Sequence, residues 1–87
     1  MKNSITLDYL ISLIVDKEFA VFKDKQTVCC LTLKNGFTVI GEAACVDSAN
    51  FNAAVGREIA TKDAIDNMWA IEGYRLQEDL YRNKGGE

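Results

Sequence analysis

A short stretch of the chain combines an aromatic ring, an amide and a guanidinium group. Phe51 and Asn52 precede Gly56 and Arg57 at the start of a run with helical spacing. The first turn of a helix offers free backbone N–H groups and the positive end of the helix dipole. Together with Arg57, these groups can hold a phosphate, and Phe51 can stack on a base. A capped helix explains the same residues more simply, with Asn52 as the N-cap, Phe51 in the core and Arg57 in solvent.

Further along the same predicted helix, charged residues recur four positions apart. The pairs are Glu58–Lys62, Lys62–Asp66, Arg75–Asp79 and Glu78–Arg82. This spacing is typical of a solvated helix face with weak ion pairs, each contributing about 0.3 kcal/mol. The alternative is that Arg75 and Arg82 face a ligand across a subunit interface. Trp69 and Tyr74 fit either a core or an interface, where aromatic residues are enriched.

The composition removes most catalytic and metal chemistry. The chain has no histidine, which excludes Ser-His-Asp and Cys-His arrangements and the commonest metal ligand. Cys29, Cys30 and Cys45 lack a fourth ligand for zinc, so we interpret them as small buried thiols in a reducing compartment. No pair of carboxylates has a neighbour that would prepare it for acid–base chemistry. We therefore expect no catalytic residues, no metal and no cofactor, and we do not expect an enzyme.

Length and charge restrict the class of protein further. The chain has 87 residues, which predicts a single domain over residues 1–87. Its net charge of −3, from 10 basic and 13 acidic residues, argues against DNA or RNA as a partner. The apolar stretch Leu7–Val15 is too short to span a bilayer and lacks the cleavage site of a signal peptide. We expect a soluble cytosolic protein with no membrane partner.

Two elements are predicted before the middle of the chain. Ser4–Lys17 has apolar residues at helical spacing and predicts an N-terminal helix. The alternative is a strand, which the β-branched residues Ile11, Ile14 and Val15 favour. We prefer the helix. Glu18–Lys25 is predicted to be a short edge strand that ends in a polar turn at Lys23–Lys25.

The strongest local signal is a hairpin. Asn35-Gly36 lies between the apolar runs Thr27–Lys34 and Phe37–Cys45, and it accepts the positive φ angles of a type I′ turn. A two-residue turn pairs Leu33 with Thr38 and Cys30 with Gly41.

This pairing assigns every side chain of the hairpin to a face. One face holds Val28, Cys30, Thr32, Phe37, Val39 and Ala43. The other holds Cys29, Leu31, Leu33, Thr38, Ile40 and Glu42. Both faces are largely apolar, and one thin layer of helices covers only one of them. We therefore expect the second face to contact another subunit.

The second half of the chain predicts a loop and a long helix. Val46–Asn52 is rich in capping residues, and the helix that follows extends to about Asn83. Gly73 weakens this helix and allows a kink near Ala70–Gly73. The predicted fold class is α+β: a small antiparallel sheet with a central Asn-Gly hairpin, an N-terminal helix and a long C-terminal helix, broken or unbroken, in an oligomer.

A series of motifs over roughly residues 27–80 resembles a known family. The motifs are Leu31-Thr32-Leu33-Lys34-Asn35-Gly36-Phe37, Gly41-Glu42, Cys45-Val46-Asp47, Ala49-Asn50-Phe51-Asn52, Gly56-Arg57, Ile59-Ala60, Ala64, Trp69 and Glu72-Gly73-Tyr74. In this order they are similar to a family of small bacteriophage proteins known by gene-product numbers forty-nine and sixty-six. They also resemble the first type of phage Thoeris anti-defence protein.

The resemblance implies a function that composition does not. Those anti-defence proteins bind cyclic ADP-ribose isomers, and some bind cyclic oligonucleotides, without cleaving them. They are oligomers built from dimers, with ligands at subunit interfaces. By motif position, Phe51 would stack on adenine, Asn52 would bond a base edge or ribose, and Arg57 and Arg75 would bind phosphates. The implied setting is the host bacterial cytoplasm, and the alternative is a non-catalytic phage module that binds another protein.

Overall fold

The computed structural model describes residues 4–84, which form two helices, a three-stranded antiparallel sheet and a 3-10 turn. In chain order these are α1 (Leu7–Ser12), β1 (Ile14–Phe22), β2 (Gln26–Leu33), β3 (Thr38–Ala44), the 3-10 turn (Ser48–Asn50) and α2 (Ala53–Asn83). The predicted α+β class is confirmed. None of the described helices combines the length and the apolar character needed to cross a membrane.

The first helix is shorter than the predicted Ser4–Lys17. It starts after Thr6, whose hydroxyl accepts the N–H of Tyr9 at 3.1 Å, and it ends at Ser12. The chain enters β1 at Ile14 because Ile14 and Val15 are β-branched and fit a pleated strand better than a helix. The strand alternative was therefore correct for these two residues.

The edge strand is correspondingly longer than predicted. β1 occupies Ile14–Phe22 instead of starting at Glu18, and its register shifts between Ile14 and Asp16. The polar turn lies at the predicted place, with Lys23 and Asp24 at φ angles of 59° and 48°. The strand order is β1-β2-β3, so β2 is central and both β1 and β3 are edge strands.

The register between β2 and β3 differs from the prediction by one residue. Thr38 pairs with Thr32, not with Leu33, and Gly41 pairs with Cys29, not with Cys30. The cause is the connection, which contains three residues rather than two. The N–H of Gly36 donates to the carbonyl of Leu33 at 2.9 Å, and Gly36 itself has a φ of 90°. Glycine at this left-handed position closes a three-residue hairpin.

This register reassigns residues between the two faces of the sheet. The inner face, which packs against α2, holds Thr27, Cys29, Leu31 and Leu33 from β2 with Val39, Gly41 and Ala43 from β3. The outer face holds Val28, Cys30 and Thr32 with Thr38, Ile40 and Glu42. The prediction that Val39 and Ala43 share a face with Val28 and Cys30 was wrong. The correct register places Val39 in the core, 4% exposed.

Helix α2 is a single helix of 31 residues and continues through Gly73 without the break that the glycine allowed. It packs very closely on β3. A Cβ atom on Gly41 would clash with the backbone of Ala60 and Ala64, and would lie 2.6 Å from the Cα of Ala64. The core between helices and sheet consists of Leu10, Cys29, Leu31, Leu33, Val39, Ala60, Ala64 and Met68.

The outer face of the sheet has no helix over it in the part of the chain that the structure describes. Val28, Cys30 and Thr32 of the central strand are half-buried there, and Phe22 and Ile40 are 55% and 48% exposed. An uncovered apolar face is the feature that led us to expect a second subunit. That expectation stays a prediction.

Candidate functional site

The start of α2 is built as a capped helix. The side-chain oxygen of Asn52 accepts the N–H of Val55 at 3.1 Å, and the Asn52 carbonyl accepts the N–H of Gly56 at 2.9 Å. Phe51 is half-buried beside it, in a cleft of about 90 Å³ that Lys25 and Cys45 also line. This volume is below the range of about 300–1,000 Å³ that is usual for ligand pockets. Because the side-chain oxygen of Asn52 accepts the N–H of Val55, this amide acts as the N-cap of α2, as the capped-helix interpretation predicted.

Gly56 has a packing role that the sequence did not reveal. Thr27 of β2 is fully buried, and its hydroxyl has no hydrogen-bond partner within the described residues. A Cβ atom on Gly56 would lie 2.6 Å from that hydroxyl. Glycine at this position lets the first turn of α2 settle on β2. The sequence associated Gly56 with an anion site, whereas the structure shows a close approach of helix and strand.

Arg57 lies in a different cleft, which opens between α2 and the uncovered part of β1. The cleft has a volume of about 300 Å³, and it is lined by Lys17, Phe19, Arg57, Glu58 and Thr61. The ammonium of Lys17 is 6.0 Å from the centre of the Phe19 ring. We name this site the β1 cleft.

Charge in the β1 cleft is unequally distributed. Lys17 and Arg57 make no salt bridge with any residue in the range 4–84, and Glu58 is the one carboxylate in the lining. The hydroxyl of Thr61 donates to the carbonyl of Arg57 at 2.7 Å. Two cations therefore flank an exposed aromatic ring, an arrangement that suits a planar anionic ligand.

Lys17 and Phe19 were not predicted as site residues. The signal that could have found them is the alternation of β1, which directs residues 17 and 19 to the same side of the sheet. The predicted helix ended at Lys17 and the predicted strand began at Glu18, so the alternation was cut at the critical point. With the observed strand, Lys17 and Phe19 lie on the α2 side, opposite Leu31 and Cys29.

Arg75 lies far from the other predicted site residues. It is 18 positions after Arg57 in the same helix, about 27 Å at 1.5 Å per residue. One subunit therefore brings Phe51 and Asn52 together but places Arg57 in a second cleft and Arg75 in a third region. A single small ligand cannot touch Arg57 and Arg75 of the same chain.

The guanidinium of Arg75 is also occupied by neighbouring groups. Its Nε is 2.9 Å from Glu72 and its Nη1 is 2.7 Å from Asp79, and the Tyr9 hydroxyl donates to Glu72 at 3.1 Å. The hydrogen bond with Glu72, which is 8% exposed, raises the pKa of Arg75 above its ordinary value. Since a raised pKa favours the charged form, Arg75 stays protonated throughout the neutral and moderately alkaline range. The network joins α1 to α2.

This network forms one wall of a cleft that is larger than the β1 cleft. The cleft has a volume of about 430 Å³ and is lined by Ser4, Ile5, Thr6, Tyr9, Arg75, Leu76 and Asp79. Because two carboxylates already neutralise Arg75, this wall offers an anionic ligand less than the β1 cleft does.

The thiols provide no second candidate site. Cys29 is buried, Cys30 and Cys45 are half-buried, and all three are free thiols. No group of three or more metal-ligating side chains occurs among residues 4–84.

The comparison with protein families identifies one family that matches most of the chain. A family described as Phage protein (N4 Gp49/phage Sf6 gene 66) matches residues 5–80. The chain belongs to this phage protein family. The matched region includes all of α1 and the three strands and most of α2, so it extends beyond the motifs in residues 27–80. No curated protein and no solved structure matches this family member. The resemblance to the phage family is thus confirmed, and the resemblance to the anti-defence protein stays a prediction.

Proposed function

We propose that this phage protein binds and sequesters a cyclic nucleotide immune signal without cleaving it. The proposed ligands are cyclic ADP-ribose isomers and, as a second group, cyclic oligonucleotides. The observation that carries the proposal is the β1 cleft, where Lys17 and Arg57, which make no salt bridge within residues 4–84, lie together with the ring of Phe19. Guanidinium and ammonium groups bind phosphate, and an aromatic ring stacks on a base.

The chemistry of the cleft supports binding rather than cleavage. Its lining offers one carboxylate, Glu58, and one hydroxyl, Thr61, which is already hydrogen-bonded to the carbonyl of Arg57. The chain has no imidazole to activate that hydroxyl. A protein of this kind would act by stoichiometric capture of its ligand.

The shallowness of the cleft supports a ligand shared between subunits. A binding pocket usually buries most of its ligand, whereas the β1 cleft is open along the edge of the sheet. A second subunit would close it. Contact of one ligand with Phe51, Asn52, Arg57 and Arg75 would require such an oligomer too, because one chain places Arg57 and Arg75 in regions apart from Phe51 and Asn52.

The test is native mass spectrometry of the purified protein with cyclic ADP-ribose isomers and cyclic di- and trinucleotides. We expect an oligomer that gains a whole number of intact ligands. Arg57→Ala should weaken binding about 10- to 100-fold, which corresponds to a charge-assisted hydrogen bond of about 1.5–3 kcal/mol. Arg82→Ala removes the same charge from an exposed ion pair on the same helix, and it should leave affinity within about twofold. Failure of the wild type to bind any compound, or release of a cleaved product, would contradict the proposal.

The outer face of the sheet favours a second candidate function, a phage module that binds another protein. Its support is the exposed apolar surface at Phe22 and Ile40. Under this alternative, Ile40→Glu should abolish retention of a host or phage protein while Arg57→Ala leaves retention intact. If the protein sequesters a nucleotide, ligand affinity should instead fall in Arg57→Ala and stay unchanged in Ile40→Glu.

A further inference from the structure

The two edges of the sheet differ in how their backbone groups are satisfied. At the β3 edge, the N–H of Glu42 donates to the carboxylate of Asp63 at 2.9 Å, and the carbonyl of Ile40 accepts the amide of Asn67 at 2.8 Å. Side chains of α2 therefore occupy two of the outward-pointing backbone groups of β3. No comparable contact protects β1 within residues 4–84.

The open groups of β1 follow from the register. The backbone N–H and C=O groups of Ile40 and Glu42 point away from β2, toward the free edge of β3. The backbone groups of their partners Cys30 and Val28 therefore point away from β3, toward β1. The groups of β1 that bond β2 are then those of Glu18 and Ala20. Antiparallel alternation leaves the N–H and C=O of the intervening odd-numbered residues at the free edge. These residues are Lys17, Phe19 and Val21.

We propose that β1 pairs in antiparallel fashion with β1 of a second copy of this chain, with the two-fold axis at Phe19. A long, unprotected edge strand with exposed apolar residues is a site for strand pairing. Phe19 and Val21 are 37% and 43% exposed. The pairing satisfies both backbone groups of each outward-facing residue and joins the two sheets into one.

Charge selects this register over the neighbouring ones. With the axis at Phe19, Lys17 lies opposite Val21 and Glu18 lies opposite Ala20 of the second copy. Moving the axis to Glu18 places two carboxylates directly opposite each other. Moving it to Ala20 places Lys17 opposite Lys23. Like charges directly opposite each other destabilise a strand pair, so the axis at Phe19 is preferred.

This pairing would complete the ligand site. Lys17 and Phe19 lie on the α2 side of β1, so the β1 clefts of the two copies meet across the axis. The joint cleft has two phenyl rings at its centre and a lysine and an arginine from each copy around them. Its symmetry suits a nucleotide with two phosphate groups. This part of the inference rests on the proposed function, whereas the strand pairing does not.

The first experiment changes the free edge of β1 and keeps the backbone hydrogen bonds of Glu18 and Ala20 to β2. Val21→Pro removes an outward N–H that has no partner among residues 4–84, and proline is tolerated on edge strands at such positions. Val21→Ala keeps the N–H and is the matched control. By sedimentation velocity at micromolar concentrations, we expect a two-fold assembly for the wild type and Val21→Ala, and a halved mass for Val21→Pro. A wild type that stays monomeric, or a Val21→Pro protein that assembles like the wild type, would overturn the pairing.

A second experiment tests the register. The background for this test is free of cysteine (Cys29→Ala, Cys30→Val and Cys45→Ser), because Cys29 lies directly opposite Phe19 in the same chain and would otherwise compete for the new thiol. In this background Phe19→Cys should form an intermolecular disulfide, because Cα atoms opposite each other at the axis lie about 5.5 Å apart. Val21→Cys should not, since its two copies lie on either side of the axis. Cross-linking of Val21→Cys in preference to Phe19→Cys would exclude the axis at Phe19. This cross-linking experiment also tests the strand pairing if Val21→Pro fails to fold.

Ligand binding separates the two proposals. A paired wild type that binds no compound of the panel contradicts sequestration and leaves the strand pairing standing. A monomer that binds a ligand contradicts the strand pairing and leaves sequestration standing. If both hold, Val21→Pro should lose at least about tenfold in affinity, because half of the cations leave the cleft.

Discussion

At Gly41 the backbone of α2 lies very close to β3. The backbone of α2 at Ala60 and Ala64 occupies the space that any side chain at Gly41 would need. Small residues on both elements allow this contact, which brings Asp63 and Asn67 within hydrogen-bond distance of β3. The position of α2 over the sheet therefore requires a glycine at position 41, since even the methyl group of alanine would clash with the helix backbone.

We expect Gly41→Ala to destabilise the fold by about 3 kcal/mol, because the added Cβ meets backbone atoms that cannot rotate away. Gly73→Ala is the control. Gly73 lies inside α2, and a Cβ atom added there would have no neighbouring atom within 4 Å, so alanine should stabilise the protein by about 1 kcal/mol. Urea unfolding of both variants gives the two free energies. Equal effects would show that close packing at Gly41 has no special weight.

Single residues also show how far the sequence could predict the candidate site. Asn52 was recognisable as a cap, because asparagine directly before a helical apolar pattern is a strong start signal. The partners of Arg75 were only half visible. The spacing to Asp79 predicted one ion pair, but the buried Glu72 and the contact with Tyr9 depend on the packing of α1 against α2. Such long-range contacts have no local signal in the sequence.

At the scale of elements, two predictions were wrong for different reasons: the boundary between α1 and β1, and the register of the β2–β3 hairpin. The α1–β1 boundary was misplaced because Ile14 and Val15 fit both a helical stripe and a strand, and only pairing with β2 decides between them. The hairpin register was misplaced because Asn35-Gly36 permits a two-residue or a three-residue connection. Gly36 adopts the positive φ in both cases, so the dipeptide alone does not fix the pairing.

The N-terminus of α2 permits a test that separates capping from ligand binding. Asn52→Ala should cost about 1 kcal/mol of stability, because the N–H of Val55 loses its acceptor. Asn52→Asp keeps the cap and favours the helix dipole, so stability should stay unchanged or rise slightly.

Ligand affinity provides the second readout for the same pair. If Asn52 contacts an anionic ligand across an interface, Asn52→Asp should weaken binding while the midpoint of thermal unfolding is maintained. Isothermal titration calorimetry beside thermal melts makes the comparison. An affinity that follows stability in both variants would assign Asn52 a purely structural role.

At the scale of the whole molecule, the protein is much longer than it is wide. Its principal extents are 56 × 22 × 20 Å, and its radius of gyration is 16.0 Å, against about 12 Å for a compact chain of this length. The cause is α2, which at 31 residues measures about 46 Å and exceeds the strands beneath it. Tyr74 and Tyr81 on this helix are 72% and 50% exposed. Periodicity predicted the length of α2, but not how much of it would project beyond the sheet.

The protected edge of the sheet leads to a prediction about assembly size. The double variant Asp63→Ala/Asn67→Ala frees the N–H of Glu42 and the carbonyl of Ile40. With a second open edge, we expect association beyond the size of the wild-type assembly, seen as faster-sedimenting species. Asp66→Ala removes a charge from the same helix without touching the sheet, and it should behave like the wild type. Identical sedimentation of the double variant and the wild type would mean that these two bonds do not limit growth.

In the proposed strand-paired assembly, the side chains of Asp63 and Asn67 would limit each subunit to one open edge. A unit with one binding edge forms nothing larger than a pair at any concentration, whereas a unit with two binding edges can extend into a fibre. A capturing protein must be present in at least as many copies as the molecules it captures. If both proposals hold, the contacts of Asp63 and Asn67 with β3 would allow such abundance without the formation of fibres.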